Sequence, residues 1–205
     1  MTQQTTQART NAGGAGSDRY LEQVVGQAQF RPLAAAGSSA WGQLAVPCTA
    51  VVVACFRDDG ALLMVCPPGA PTAAAWDLPH GKVPPAADPT DYAEELLAQR
   101  TGVWPVTLTP FGMIDWGPAA VQAGWGWTAC LGGPVGVIGR LPPGTWGGRA
   151  FVPPLEAPTR TAADCWGALR RQTVAAAIAQ FVSDCDYWLL QSGGALHALT
   201  ADDSL

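Results

Sequence analysis

The stretch from Trp76 to Val103 reads WDLPHGKVPPAADPTDYAEELLAQRTGV, and this stretch decides the fold. Its second half predicts a helix over 88–101. Asp88 is a plausible N-cap, Pro89 suits the first helical position, and Gly102 stands where a left-handed C-terminal glycine belongs. The first half predicts a short extended piece, stopped by proline and followed by a loop. A loop that leads directly into a capped helix is therefore expected here.

Apolar segments on both sides of this stretch predict a sheet. The segment CTAVVVACFR at 48–57 is typical of a strand buried on both faces. The turn Asp58-Asp59-Gly60 joins it to a second predicted strand at 61–66. Three more strands are predicted at 106–116, 121–131 and 150–152, a long loop at 132–148, and a long helix at 161–185.

The spacing within 76–103 resembles the Nudix box and its lead-in. The family pattern is G-x5-E-x7-R-E-U-x-E-E-x-G-U, with U apolar. With Gly81 as its first glycine, Leu97, Gly102 and Val103 match without a gap. The lead-in WDLP resembles the family's W-E-L-P, GKV is similar to its usual G-K-V, and Phe151-Val152-Pro153 resembles a later strand of the family. The resemblance implies an α/β (α+β) fold, a Nudix-type α/β/α sandwich with a mixed central sheet, over residues 45–190.

The chemistry of the box differs from the family pattern. In the family, three glutamates on one helical face hold divalent cations that polarise a diphosphate. The matching residues here are Leu96, Gln99 and Arg100, while Glu95 replaces the family arginine and Ala87 the early glutamate. A leucine supplies no oxygen ligand, and a guanidinium repels a cation. The resemblance therefore implies a degenerate box, a pseudoenzyme and no metal cofactor.

Two enzymatic alternatives stay open. Asp91 and Glu95 lie four residues apart on one helical face, so they are fallback ligands for Mg²⁺ or Mn²⁺ in a displaced site. Acids in the first turns of a helix also simply complement its dipole. His80, with Glu95 or another nearby acid, is the fallback for metal-free chemistry such as an isomerase or lyase step.

The candidate ligand-binding residues cluster around the box. His80, Gly81 and Lys82 lie in the loop where the family backbone faces its ligand, and Arg100 offers phosphate a planar guanidinium. On a strand over 121–131, Trp125 and Trp127 would share one face and, together with Trp116, stack against a flat ligand. The structural alternatives are a loop histidine, a solvated lysine, a surface arginine and core tryptophans.

Composition excludes several partners. The net charge is -5, with one lysine and ten arginines and no basic cluster, which argues against nucleic acid. The N-terminus lacks the features of a signal peptide, and the sequence has no apolar run long enough to cross a membrane, so a cytoplasmic protein is expected. The six cysteines lack C-x2-C spacing and are expected to be reduced rather than zinc-bound.

The chain ends are expected to lie outside the domain. Residues 1–17 predict a disordered arm, 18–44 a short helix and a connection, and 191–205 a loose tail. Many members of the family are homodimers, so the resemblance leaves a homodimer open.

Taken together, these residues favour a non-hydrolytic Nudix-fold protein. It would bind a nucleotide-like or phosphorylated small molecule, or a protein partner, in the cleft beside the box. The first alternative is a divergent hydrolase of nucleoside-diphosphate-linked substrates that uses the displaced metal site. The second is metal-free chemistry in the same cleft.

Overall fold

A computed structural model of the chain describes residues 26–33, 46–67, 76–144, 146–161 and 166–191, with side chains in the last segment as far as Phe181. The strands are β1 Gln29–Pro32, β2 Cys48–Phe56, β3 Leu62–Cys66, β4 His80–Lys82, β5 Val103–Pro105, β6 Thr109–Asp115, β7 Trp127–Ile138 and β8 Gly148–Val152. The helices are α1 Pro89–Thr101, α2 Pro118–Gln122, α3 Ala157–Arg160 and α4 Gly167–Gln191.

The strands form a mixed sheet, as predicted. Six strands follow the order β1-β6-β7-β2-β3-β8, while β4 pairs with β2 and β5 pairs with β7. The central strands β2 and β7 run parallel, whereas the other strand pairs described are antiparallel. Because β4 is short, it covers only the first half of β2, and this leaves space beside it.

The two faces of the sheet carry different helices. Successive residues of β2 alternate between two buried clusters, because side chains of a strand point to opposite faces. The helix α1 buries Ala93, Leu96 and Leu97 against one face. The helix α4 buries Leu169, Val174 and Ala177 against the other. The predicted layers are therefore present, and β2 is buried on both faces as its sequence indicates.

Both ends of α1 are fixed as the sequence predicts. One carboxylate oxygen of Asp88 accepts from the backbone N–H groups of Thr90 and Asp91, at 2.8 and 3.2 Å. Gly102 adopts φ 65°, and its N–H caps the last turn. The side chain of Arg149, on β8, donates to the carbonyl oxygen of Thr101. Burial lowers the pKa of Arg149 below its usual value. The hydrogen bonds at its two ends fix the position of α1 on the sheet.

The strand predicted at 121–131 is present only from 127 onward, and the loop predicted at 132–148 is strand as far as 138. Pro118 opens the short helix α2, and the chain turns at Gly124, where φ is 82°. The strand β7 begins only at Trp127 and continues to Ile138. The glycines that suggested a loop are needed inside the strand, since a Cβ on Gly133 would lie 1.9 Å from the carbonyl oxygen of Thr107.

Three other boundaries differ from the prediction. The strand β1 falls in a region assigned to a helix and a connection. Within the described part of the chain it pairs with β6 alone, and Pro32 is tolerated on such an edge strand. The strand predicted at 106–116 is present over 109–115, and the short strand at 103–105 was not predicted. The final helix is described from Gly167 rather than from 161, since Thr161 forms an isolated bridge with Trp76. The strand at 150–152 is confirmed within β8.

The predicted arm at 1–17, the helix expected just after it and the tail from 192 onward lie outside the described residues. Within the described part of the chain, no helix is both long and apolar enough to cross a membrane.

Candidate functional site

A cavity of about 610 Å³ opens beside β4. We call it the β4 cavity. Its walls come from β2, β4, α1 and α4 and from tryptophans on the segments between them. The polar and charged side chains that line it are Asp77, His80, Lys82, Tyr92, Arg100, Thr128, Arg170 and Thr173. Residues far apart in sequence therefore meet at the gap left by the shortness of β4.

The pairing of β4 with β2 sets which side chains enter the cavity from the strand. His80 and Lys82 alternate with Gly81, so both side chains lie on one face of the sheet and Gly81 faces the other. On that second face α1 comes very close. A Cβ on Gly81 would lie 2.4 Å from a methyl carbon of Leu96, so a larger residue there would require the Leu96 side chain to move.

The three helix positions that match metal-binding glutamates do not form a metal site. Leu96 is only 3% exposed and packs in the core under α1. The side chain of Gln99 is exposed and donates to Glu95 Oε1 at 2.6 Å. Arg100 lines the β4 cavity as a cation. Since Mg²⁺ requires hard oxygen ligands, these residues do not fit the ion that the family fold implies.

The fallback ligands Asp91 and Glu95 do not improve the fit. Both are exposed on α1, and neither lines the β4 cavity. Among the described residues, no three His, Cys, Asp or Glu side chains lie close enough to share a metal ion. Asp91 lies in the first turn of α1, where a negative charge complements the helix dipole.

Asp77 joins the two sides of the cavity. Its Oδ2 accepts from Arg170 Nε, on α4, at 2.6 Å, and its Oδ1 accepts from the backbone N–H of Leu78 at 2.8 Å. The backbone of Asp77 also exchanges two hydrogen bonds with Val65 on β3, each 2.9 Å long. The carboxylate is 16% exposed and the guanidinium side chain 23% exposed, so water screens this pair only in part.

His80 lies near the same carboxylate oxygen. Its Nδ1 is 2.8 Å from the carbonyl oxygen of Leu78 and 3.8 Å from Asp77 Oδ2. The ring of Trp146 contacts it at a steep angle of 67°, with the ring centroids 5.5 Å apart. The imidazole is therefore held from two directions while about half of the side chain stays accessible.

Tryptophans form the apolar wall of the cavity. The ring of Trp116 lies nearly perpendicular to Trp125 and to Trp166, with centroids 5.8 and 5.2 Å apart. The Trp116 indole N–H donates to the Thr128 hydroxyl at 2.9 Å, which fixes its orientation. Such a wall suits a flat aromatic ligand. Trp146 lies on another side of the cavity, and its indole N–H is buried without a partner among the described residues.

Among the described residues, the cavity carries three cationic side chains, Lys82, Arg100 and Arg170, and a single carboxylate, that of Asp77. The chain as a whole has a net charge of -5. A cavity lined by positive charges attracts an anion, even when the rest of the protein surface is acidic and repels it.

The structure brings together five of the six predicted ligand-binding residues: His80, Gly81, Lys82, Arg100 and Trp125. The sixth, Trp127, is buried on the α1 side of the sheet, and its indole N–H donates to the carbonyl oxygen of Val46 at 2.9 Å. The prediction that the two tryptophans share one face was wrong, because the chain turns before β7 begins.

Several lining residues were missed by sequence reasoning, among them Asp77, Trp146, Trp166 and Arg170. Asp77 stands inside the WDLP lead-in, where an acid beside the box was a usable signal. Trp166 was interpreted only as part of a buried helix face, and Arg170 carried no signal of its own.

Comparison with solved structures identifies the fold. The Nudix domain of Shewanella oneidensis NrtR, solved in complex with ADP ribose, matches 68% of this chain and 92% of its own length, with TM-score 0.50 and 17% identity. A Nudix hydrolase from Nitrosomonas europaea matches 65% of this chain and 90% of its own, with TM-score 0.48 and 18% identity. The Bacillus subtilis pyrophosphohydrolase BsRppH covers 81% of this chain and 91% of its own, with TM-score 0.48 and 13% identity.

Compared by sequence, no protein-family model and no curated protein matches the chain. The structural match to the NrtR domain confirms the Nudix-type fold predicted from the box.

Proposed function

From this Nudix fold, we propose that the chain binds a nucleotide-like, phosphorylated small molecule in the β4 cavity and does not hydrolyse it by magnesium chemistry. One observation carries the proposal. The positions that match the metal-binding glutamates hold Leu96, Gln99 and Arg100, while the cavity beside them combines cations with an aromatic wall. Phosphate and a flat ring are the two groups that such a lining binds.

Arg100 is the residue that changes the chemistry most directly. A carboxylate at this position would attract a cation, whereas a guanidinium contacts phosphate oxygens itself and needs no bridging metal. The NrtR domain was solved with ADP ribose, which combines a diphosphate with an adenine ring. A ligand of that chemical class suits the cations and tryptophans of the β4 cavity.

Isothermal titration calorimetry with ADP-ribose, ADP and a nucleotide sugar, each with Mg²⁺ and with EDTA, tests the proposal. We expect binding that does not depend on Mg²⁺, and no Mg²⁺-dependent product. The Arg100→Ala variant should weaken binding about tenfold or more, since a charge-assisted hydrogen bond contributes about 1.5–3 kcal/mol. The matched control is Arg171→Ala, which removes an exposed helix arginine that does not line the cavity.

Three results would contradict the proposal. Mg²⁺- or Mn²⁺-dependent hydrolysis that is lost in Glu95→Gln would establish the divergent hydrolase with a displaced metal site. Equal loss of binding in Arg100→Ala and Arg171→Ala would show that the cavity is not the site. Absence of binding across the whole panel would leave a protein partner as the occupant of the cleft.

A further inference from the structure

The hydrogen bond of His80 determines which ring nitrogen carries the proton. A carbonyl oxygen only accepts, so the 2.8 Å contact between His80 Nδ1 and the oxygen of Leu78 requires the proton to be on Nδ1. In the neutral ring, the lone pair is then on Nε2. The ring lines the β4 cavity and its side chain is 47% exposed, so it offers a nucleophile to a bound molecule.

One carboxylate lies close to the ring of His80. The carboxylate of Asp77 lies 3.8 Å from Nδ1 and is itself held by Arg170 and by the backbone N–H of Leu78. A carboxylate behind an imidazole stabilises the imidazolium that forms when the other nitrogen reacts. The edge contact from Trp146 restricts ring rotation.

The same cavity supplies the charge that phosphoryl transfer needs. Lys82 follows His80 by two residues on β4, so the two side chains share a face of the sheet. Arg170 and His80 approach one oxygen of Asp77, at 2.6 and 3.8 Å, which places the guanidinium beside the imidazole. Cationic side chains neutralise charge on transferring phosphoryl oxygens as a metal ion does.

We propose that His80 Nε2 accepts the terminal phosphoryl group of a nucleoside di- or triphosphate bound in the β4 cavity, without a metal ion; this rests on the proposed function. The Nε2 lone pair forms a bond to the terminal phosphorus, and the bond from phosphorus to the bridging oxygen breaks. The leaving phosphate keeps that electron pair. The ring retains the proton on Nδ1 and becomes positively charged beside Asp77. Water then attacks phosphorus, the electron pair returns to Nε2, and one proton is released to solvent.

The experiment uses the full chain, ATP labelled at its terminal phosphate, and EDTA. We expect a protein-bound label that is stable to alkali and labile to acid, as a phosphoramidate is, and that peptide mapping places at His80. His80→Asn retains a donor near the position of Nδ1 but removes Nε2, so labelling should be lost while ATP still binds by calorimetry. The matched control is His197→Asn, because the chain has 2 histidines; it should label like the wild type.

Each other outcome overturns the inference. ATP binding without any label in the wild type refutes phosphoryl transfer but leaves the proposed function intact. Absence of both binding and label contradicts the proposed function as well. Label that persists in His80→Asn, or that disappears in His197→Asn, places the acceptor elsewhere. Metal-free release of phosphate that needs His80, with no label trapped by rapid quenching, would make the ring a general base rather than a nucleophile.

Discussion

Leu96 shows at the residue scale how one substitution changes the use of a helix face. In the family alignment its position belongs to a metal-binding glutamate, yet here the side chain is 3% exposed and reaches across to Gly81. This part of α1 therefore contributes to the core, and the cation Arg100 one turn later contributes to the cavity. Leu96 requires apolar surroundings and Arg100 requires polar ones, although residues four positions apart lie on the same face of a helix.

Restoring the glutamate at this position should destabilise the fold. Leu96→Glu buries a carboxylate among apolar side chains, and we expect a loss of about 3 kcal/mol or more in the free energy of unfolding. Leu96→Met, which conserves volume and polarity, should cost less than about 1.5 kcal/mol. Urea unfolding followed by tryptophan fluorescence measures both. A Leu96→Glu protein that is as stable as wild type and is further stabilised by Mn²⁺ would show that the position faces a metal site.

The helix α1 is the element that presents Tyr92 and Arg100 to the β4 cavity, so its two ends control the site. The N-terminal end is fixed by the Asp88 side chain and the C-terminal end by Gly102 and Arg149. A displaced C-terminal turn would move Arg100, which lies two residues before Gly102. The geometry of the candidate site therefore depends on a cap that touches no ligand.

Two glycines with similar backbone conformations should respond differently to alanine. Gly102 has φ 65° and a Cβ there would lie 2.1 Å from the carbonyl oxygen of Arg140, whereas Gly124 has φ 82° and open space around it. We expect Gly124→Ala to cost about 1 kcal/mol for the backbone conformation alone. Gly102→Ala should cost more than about 3 kcal/mol because the backbone must also shift. Similar melting temperatures for the two variants would show that the carbonyl moves away freely.

On the scale of the whole molecule, the β4 cavity is held by contacts between layers. Asp77 is hydrogen-bonded to β3 through its backbone and to α4 through Arg170. The side of the cavity that carries His80 and the side that carries Arg170 are thus joined by one carboxylate. The lining of the β4 cavity and the stability of the sheet–helix packing both depend on this pair, since removing either partner leaves a poorly solvated charge.

The buried thiols on the central strands predict how the stability of the whole fold changes with pH. Burial raises the pKa of Cys55 to about 12 and raises that of Cys130 as well. In the unfolded chain a thiol ionises near pH 8.5, so above about that pH the unfolded state loses protons that the folded state retains. Below this pH the buried thiols therefore cost no stability. Above it, the free energy of unfolding should fall as pH rises, by about 1.4 kcal/mol per pH unit for each thiol.

Urea unfolding at about neutral pH and at about pH 10 measures this fall. The Cys55→Ala variant has one buried thiol fewer, so its free energy of unfolding should decline less steeply with pH. This holds whatever the stability of the variant at neutral pH. A decline of equal slope in the variant and the wild type would mean that Cys55 ionises in the folded state.

The features of this protein that depend on local signals could be predicted from its residues. Asp88, Pro89 and Gly102 define α1 by capping chemistry, and the apolar run at 48–57 defines β2. The spacing from Gly81 to Val103 identifies the fold and assigns Leu96, Gln99 and Arg100 to the metal positions. Each of these signals is contained within a few turns of helix or one strand, so no distant partner was needed to interpret it.

The assembly of the candidate site, in contrast, depends on contacts between distant segments. Asp77 and Arg170 are 93 residues apart in sequence, and no periodicity predicts that they pair. Trp125 and Trp127 lie on different sides of the sheet because the chain turns before β7. The glycines at 132–133 form strand rather than loop because neighbouring backbone approaches them closely. Such contacts between distant segments are determined by the packing of the whole chain. They override the local preference of a residue for strand or loop.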